Sequence, residues 1–176
     1  MACTSVASII KTSCSPNPAG NSLTILVVAI DDVLTLPDPA PGLEHVISAA
    51  IALKVGKSAA RWEGIQYTTE QMAEPEGAEN ESDSFKFTVN HTLRGSNPIQ
   101  DRILSNAMGG QFMLLVTDNL GQTKVYGTKA KPMKIAIKYA SGKKTGDLNG
   151  AELSFSSEGN PHLPPHYTGT LIPVLA

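Results

Sequence analysis

Phe85-Lys-Phe-Thr-Val-Asn-His-Thr-Leu93 is the stretch that decides the fold. Phe85, Phe87, Val89, His91 and Leu93 alternate with Lys86, Thr88, Asn90 and Thr92. That period of two places one set of side chains on a buried face and the other in water, as in a half-buried β-strand. His91 falls on the apolar side and reads as a hydrogen-bonded core histidine. Downstream, Asn97 is a helix N-cap, Pro98 suits the first helical position and Asp101 the first turn. Ile99, Ile103, Leu104 and Ala107 form one apolar stripe, and Gly109-Gly110 ends the helix, giving a helix over about 97–108. Gln111 to Thr117 is a strand, Asp118-Asn-Leu-Gly121 a turn, and Gln122 to Thr128 the return. Met133, Ile135, Ile137 and Tyr139 alternate with Lys134, Ala136 and Lys138 in a further half-buried strand. Glu152 to Ser156 and Tyr167 to Pro173 supply two more, with Pro161 to Pro165 extended between them.

Upstream of Phe85, Leu23 to Ile30 is an apolar run of strand length, read as buried on both faces. His45 to Val55 is expected as a strand, with helix as the alternative. Ala60 to Thr69 is expected as the next strand, with Trp62 and Tyr67 its large residues. Residues 1–22 read as an N-terminal arm and 23–176 as a single β-rich domain. Its long loops are expected at 31–42 (Pro37, Pro39 and Pro41), at 70–84 (acidic, with Pro75 and Gly77) and at 141–150 (glycine-rich). About eight strands in hairpin order imply a mainly β fold. The expected form is an antiparallel β-sandwich or split barrel with one flanking α-helix.

The bulk composition agrees. The chain has 176 residues, enough for one domain with a real core. It is 41 % hydrophobic but only 5 % aromatic, so its core is Ala, Val, Ile and Leu, which suits a sheet. A net charge of -2 argues against coating of nucleic-acid phosphates with excess cations. Cys3 and Cys14 can bridge, but a chain of this size needs no staple, and free thiols in a reducing compartment are expected. No basic segment follows Met1 and no apolar run reaches the roughly 20 residues of a membrane span. A soluble protein made in a cytoplasm is expected, so Asn80-Glu-Ser and Asn90-His-Thr are chance glycosylation matches.

Catalytic and metal-binding patterns are weak. Gly142-Lys-Lys-Thr145 resembles the end of a P-loop, but Ile137 stands where the first glycine belongs, and Gly146 and Gly150 forbid the helix. His162 and His166 have zinc-site spacing only on a helix, which Pro164 and Pro165 rule out. Asp31-Asp32 lacks the alternate acids of an EF-hand. No Gly-x-Ser-x-Gly elbow occurs. Trp62, the sole tryptophan, reads as core. No catalytic residue, metal ligand or cofactor is expected, and an enzyme is the least favoured class.

The remaining signal is a split in charge. From Glu63 to Asp83 there are acids and no Lys or Arg: Glu63, Glu70, Glu74, Glu76, Glu79, Glu81 and Asp83. From Lys124 to Lys144 there are lysines and no acid: Lys124, Lys129, Lys131, Lys134, Lys138, Lys143 and Lys144. Such runs are often solvated faces, or pair within the fold. They also suit heterologous self-association, with the acidic face of one subunit on the basic face of the next. Glu70, Glu74, Glu76, Glu79, Glu81 and Asp83, with the seven lysines, are the candidate interface or lumen residues.

The series Phe112-Met-Leu-Leu-Val-Thr-Asp-Asn-Leu-Gly-Gln-Thr-Lys-Val-Tyr-Gly127, Ser141-Gly-Lys-Lys-Thr-Gly-Asp-Leu-Asn-Gly150, Glu152-Leu-Ser-Phe155 and Pro161-His-Leu-Pro-Pro-His-Tyr-Thr-Gly169 resembles major tail, or tail tube, proteins of tailed bacteriophages and prophages of Bacteroidetes-type bacteria. The likeness covers about residues 110–170, while the first half agrees only in layout. It implies a β-sandwich or barrel subunit of hexameric rings that stack into a tube through which DNA passes as non-specific cargo. It also implies contacts with itself and other tail proteins, residence in the virion tail, synthesis in a host cytoplasm, and no membrane. Two alternatives remain: another ring-forming virion part, such as a tail terminator or baseplate hub, or a β-sandwich ligand-binding module.

Overall fold

The computed structural model describes residues 21–39, 45–77, 84–141 and 149–170. The centre of the fold is two strands with no polar face. β1, Asn21–Ala29, and Gln111–Asp118 (β8 in chain order) pair antiparallel, with Leu26 opposite Leu115 and Val28 opposite Met113. Ile25 and Val27 of the first, with Phe112, Leu114 and Val116 of the second, face one hydrophobic cluster. Val28, Met113 and Leu115 face another. This explains the unbroken apolar runs: strands covered on both sides need no alternation.

A 3-10 turn at Ile30–Asp32 follows β1 and leads into β2, Val33–Thr35. Then come β3, Val46–Ile47; β4, Ala52–Leu53; and β5, Ala60–Glu63. β6, Glu70–Glu76, and β7, Ser84–Arg94, form a hairpin before α1, Pro98–Ala107. After β8 come β9, Thr123–Tyr126; β10, Met133–Ala140; β11, Gly150–Asn160; and β12, His166–Tyr167. All but β2 and β4 join one curled sheet in the order β3-β12-β9-β8-β10-β11-β7-β6, with β1 and β5 branching from β8. The fold is mainly β: a half-barrel with a flanking helix, as the alternation and hairpin order lead one to expect.

The first cluster lies between β1–β5–β8 and β7–β10–β11, closed at one end by Ile103, Leu104 and Ala107 of α1. Trp62 is wholly buried there, 6.0 Å from Phe155 between ring centroids, and Phe155 meets Phe112 edge-on at 6.1 Å. α1 starts where Asn97 Oδ1 accepts the Gln100 backbone N–H at 2.8 Å. The hairpin turn between β8 and β9 rests on Asp118, whose Oδ1 accepts the N–H of Leu120 and of Gln122. Gly121 supplies the left-handed residue there, at φ 81°.

Several expectations change. The loop expected at 70–84 gives up Glu70–Glu76 to β6, paired residue for residue with β7, and Ser84 to β7, while 78–83 lie outside the described residues. The acids and Pro75 of β6 are tolerated because it is an edge strand, where one face is wet and a missing N–H costs nothing in the ladder. The 31–42 loop holds the 3-10 turn and β2, and its residues 40–42 lie outside the described residues. Residues 45–55 contain two short strands, β3 and β4, rather than one. β5 ends at Glu63, and Tyr67 is 64 % exposed with φ 64°, so it belongs to a turn and not to the core. On α1, Ile99 faces water and Gln100 is buried in its place. The arm assigned to 1–22 gives up Asn21 and Ser22 to β1, and 1–20 lie outside the described residues. In the 141–150 loop, 142–148 lie outside them, and Gly150 opens β11.

Candidate assembly surface

β10, β11, β7 and β6 lie side by side, and their outward side chains form rows across the four strands. One row is Ala136, Ser154, Asn90, Glu70; the next is Lys134, Ser156, Thr88, Met72. Lys138, Glu152 and Thr92 begin a third. The opposite side chains of the same strands, Ile135, Leu153, Phe155, Val89 and Phe87, are buried. One face of this sheet therefore roofs the core. The other is a wet surface of hydroxyls and amides, with lysines at the β10 margin and carboxylates at the β6 margin.

Of the acidic run, Glu70, Glu74 and Glu76 are brought together on β6, while Glu63 ends β5 and pairs with Arg61 at 3.3 Å. Glu70 and Glu74 are exposed on β6, Glu70 accepting from Asn90 Nδ2 at 3.2 Å. Glu76 is tethered, its Oε2 accepting the Gly159 N–H at 2.7 Å. Glu74 lies opposite Lys86, which pairs with Glu158 at 3.0 Å. The Lys86 pKa is raised by that hydrogen bond and charge, then by Glu76 and Glu74. Glu79, Glu81 and Asp83 lie outside the described residues.

The lysines are dispersed, so the basic run is not one face. Lys124 lines a cleft with Asp118, Gln122, His45 and His166. Lys129 donates to the Leu34 carbonyl at 2.9 Å and, with Lys131, edges an apolar groove of about 840 Å³ lined by Leu36, Pro37, Phe87 and Val125. Of the described lysines in the run, Lys134 and Lys138 share the wet sheet face, Lys138 paired with Glu152 at 2.9 Å. Lys143 and Lys144 lie outside the described residues. Among the described residues, none of the four ion pairs joins Glu70, Glu74 or Glu76 to these lysines. Strand spacing explains it: the β6 and β10 margins stand about 14 Å apart across three strand intervals.

One part-buried polar network escapes a linear reading. Tyr126 OH donates to Gln71 Oε1 at 2.8 Å, Gln71 Nε2 to Asn21 Oδ1 at 2.6 Å, and Asn21 Nδ2 to the Thr69 carbonyl at 2.9 Å. Burial raises the Tyr126 pKa, so the phenol stays a donor. This chain ties β6 to β1 and β9; its only sequence signal is Gln71 among acids. His91 is buried on the apolar side of its strand, as the alternation predicts. Its Nδ1 lies 2.9 Å from Thr69 Oγ1, its Nε2 has no hydrogen-bond partner among the described residues, and burial pushes the imidazole down to about 4.

No protein-family model, curated protein or solved structure matches this chain. Among the described residues, no helix is long and apolar enough to cross a membrane, and no three His, Cys, Asp or Glu side chains gather as metal ligands would.

Proposed function

We propose that this chain is a structural protein of a tailed-phage virion, the subunit of hexameric rings that stack into a tail tube conducting DNA. One observation carries the reading: a wet four-stranded sheet face ends in a carboxylate margin on one side and a lysine margin on the other, too far apart to satisfy each other. Complementary margins on one subunit favour head-to-tail association of copies, which closes into rings. The segment that carries the resemblance is consistent with this, since Phe112–Gly127 is the β8–β9 hairpin and Glu152–Phe155 lies in the wet-faced sheet. The hydroxyl and amide rows between the margins offer DNA few cations to bind, as a conduit for passing cargo requires. On this reading the protein acts by assembly rather than catalysis, and its partners are its own copies and other tail proteins in the virion.

Negative-stain electron microscopy of the purified protein at high concentration tests the reading. Stacked rings or tubes are the expected result. Single rings that never stack would favour a terminator or baseplate hub. A monomer at every concentration would overturn assembly and favour a ligand-binding module, for which the apolar groove beside Lys129 is the site.

A further inference from the structure

Among the described residues, the wet four-stranded part of the large sheet has an open strand edge on each side. β6 pairs with β7 and, among the described residues, with nothing else. β10 is held along Lys134–Ala140 by β11, but β8 reaches it only at Met133 and Lys134. The other edge of β10 is therefore unpartnered from Ile135 to Ala140 among the described residues. Open edges of this kind are templates for another strand, and chains normally blunt them. We propose that β6 of one copy pairs antiparallel with the open stretch of β10 in a second copy, Glu70 opposite Lys138. This rests on the assembly reading above and names its interface.

The side chains fit. The cross-strand rows put Glu70, Met72 and Glu74 on the same face of the sheet as Lys134, Ala136 and Lys138. Glu70 and Glu74 are four residues apart, and so are Lys134 and Lys138, a matched spacing of about 13 Å along a strand. With Glu70 opposite Lys138, Met72 falls opposite Ala136, and the Glu74 carboxylate lies at Lys134. On the core side Gln71 then meets Ile137 and Ala73 meets Ile135. Ala73 and Ile137 are only partly buried where they stand against the core, so the added strand covers them.

The backbone fits as well. Four strands of alternating direction mean that copies related by rotation present β6 antiparallel to β10 at every junction. Inward and outward N–H and C=O groups also alternate along a row, so an even number of strands leaves the junction ladder in phase. Pro75 has no N–H to give. In this register it falls opposite Met133, where β8 has already taken over the edge of β10. The ladder thus runs over Glu70–Ala73 against Ile135–Lys138 and stops where both partners require it. Within one copy Glu70 shares its row with Ala136, so the register steps by two residues at each junction; closing a sheet into a barrel needs such a stagger.

Charge selects this pairing over the others. β6 against β6 sets carboxylates on carboxylates, and β10 against β10 sets ammonium groups together, both unfavourable across a sheet. Only the unlike pair is attractive, so association is heterologous and continues until it closes.

The test uses the full chain and three variants: Glu70→Lys with Glu74→Lys, Lys134→Glu with Lys138→Glu, and all four changes together. Sedimentation velocity and negative-stain microscopy read the assembly, and thermal unfolding confirms the fold. Each double variant should need about tenfold more protein than the wild type to assemble, because two attractive pairs become repulsive. The fourfold swap should assemble like wild type. An equimolar mixture of the two double variants should also assemble, since each then presents the margin the other lacks. Glu70→Lys and Lys134→Glu alone, both at exposed positions, replace a double variant that does not fold. Wild-type assembly in both double variants would overturn this interface and leave the assembly reading standing. Variants that fold and stay monomeric alone, mixed and fully swapped would overturn the charge register. A wild type that never assembles would remove the assembly reading itself.

Discussion

His91 is a basic side chain held neutral by its surroundings. Phe87, Val89 and Leu93 share its buried face, Thr69 bonds one ring nitrogen, and Gly64 leaves the space its ring fills. With a folded pKa near 4 against 6.5 unfolded, the unfolded chain binds the extra proton between these values. Stability from this group is complete above pH 6.5 and falls as pH drops towards 4, by roughly 3 kcal/mol in all. Urea titrations at pH 7 and pH 4.5 should show the loss, and His91→Gln should flatten it. Gly64 makes a linked prediction. A Cβ there would stand 2.5 Å from His91 Cε1 and 2.6 Å from the Thr92 carbonyl oxygen. Gly64→Ala should therefore cost about 1–3 kcal/mol, read as a lower urea midpoint.

Among the elements, α1 and β7 were legible because their signals are local. Asn97 followed by Pro98 marks a helix start whatever packs on it, and a strand with one wet face must alternate. Asn97→Ala should lower stability by about 1 kcal/mol by freeing the Gln100 N–H, with the change visible in thermal unfolding. β6 was not legible. Its acids, Pro75 and lone Gln71 spell a loop until β7 is seen to supply a ladder and Tyr126 a partner for Gln71. The same blindness applied to charge. The sequence shows the basic run as one block, but β9, β10 and the turn between them aim its lysines at a cleft, a groove and a sheet face. Only Lys134 and Lys138, two residues either side of Ala136, keep the company their spacing promised. Ile99 and Gln100 exchanged places because a stripe read at 100° per residue fixes a helix face only to within one neighbour.

For the whole molecule, the margins of the sheet matter more than any pocket. An interface built on two exposed charge pairs is steered and screened by ions, with a Debye length of about 10 Å at 0.1 M salt. Assembly followed by light scattering should therefore slow several-fold between low salt and 0.5 M salt, while the unfolding midpoint of the monomer changes little. A rate indifferent to salt would point to apolar contacts instead. The strand β8 has a consequence of another kind. It bonds β1 on one side and both β9 and β10 on the other, and its residues Phe112, Met113, Leu114 and Val116 are fully covered. No sub-global opening can release it without dismantling both halves of the core. Its amide protons should be the last to exchange with deuterium, at the rate of global unfolding, while those of β6 exchange early in the free subunit.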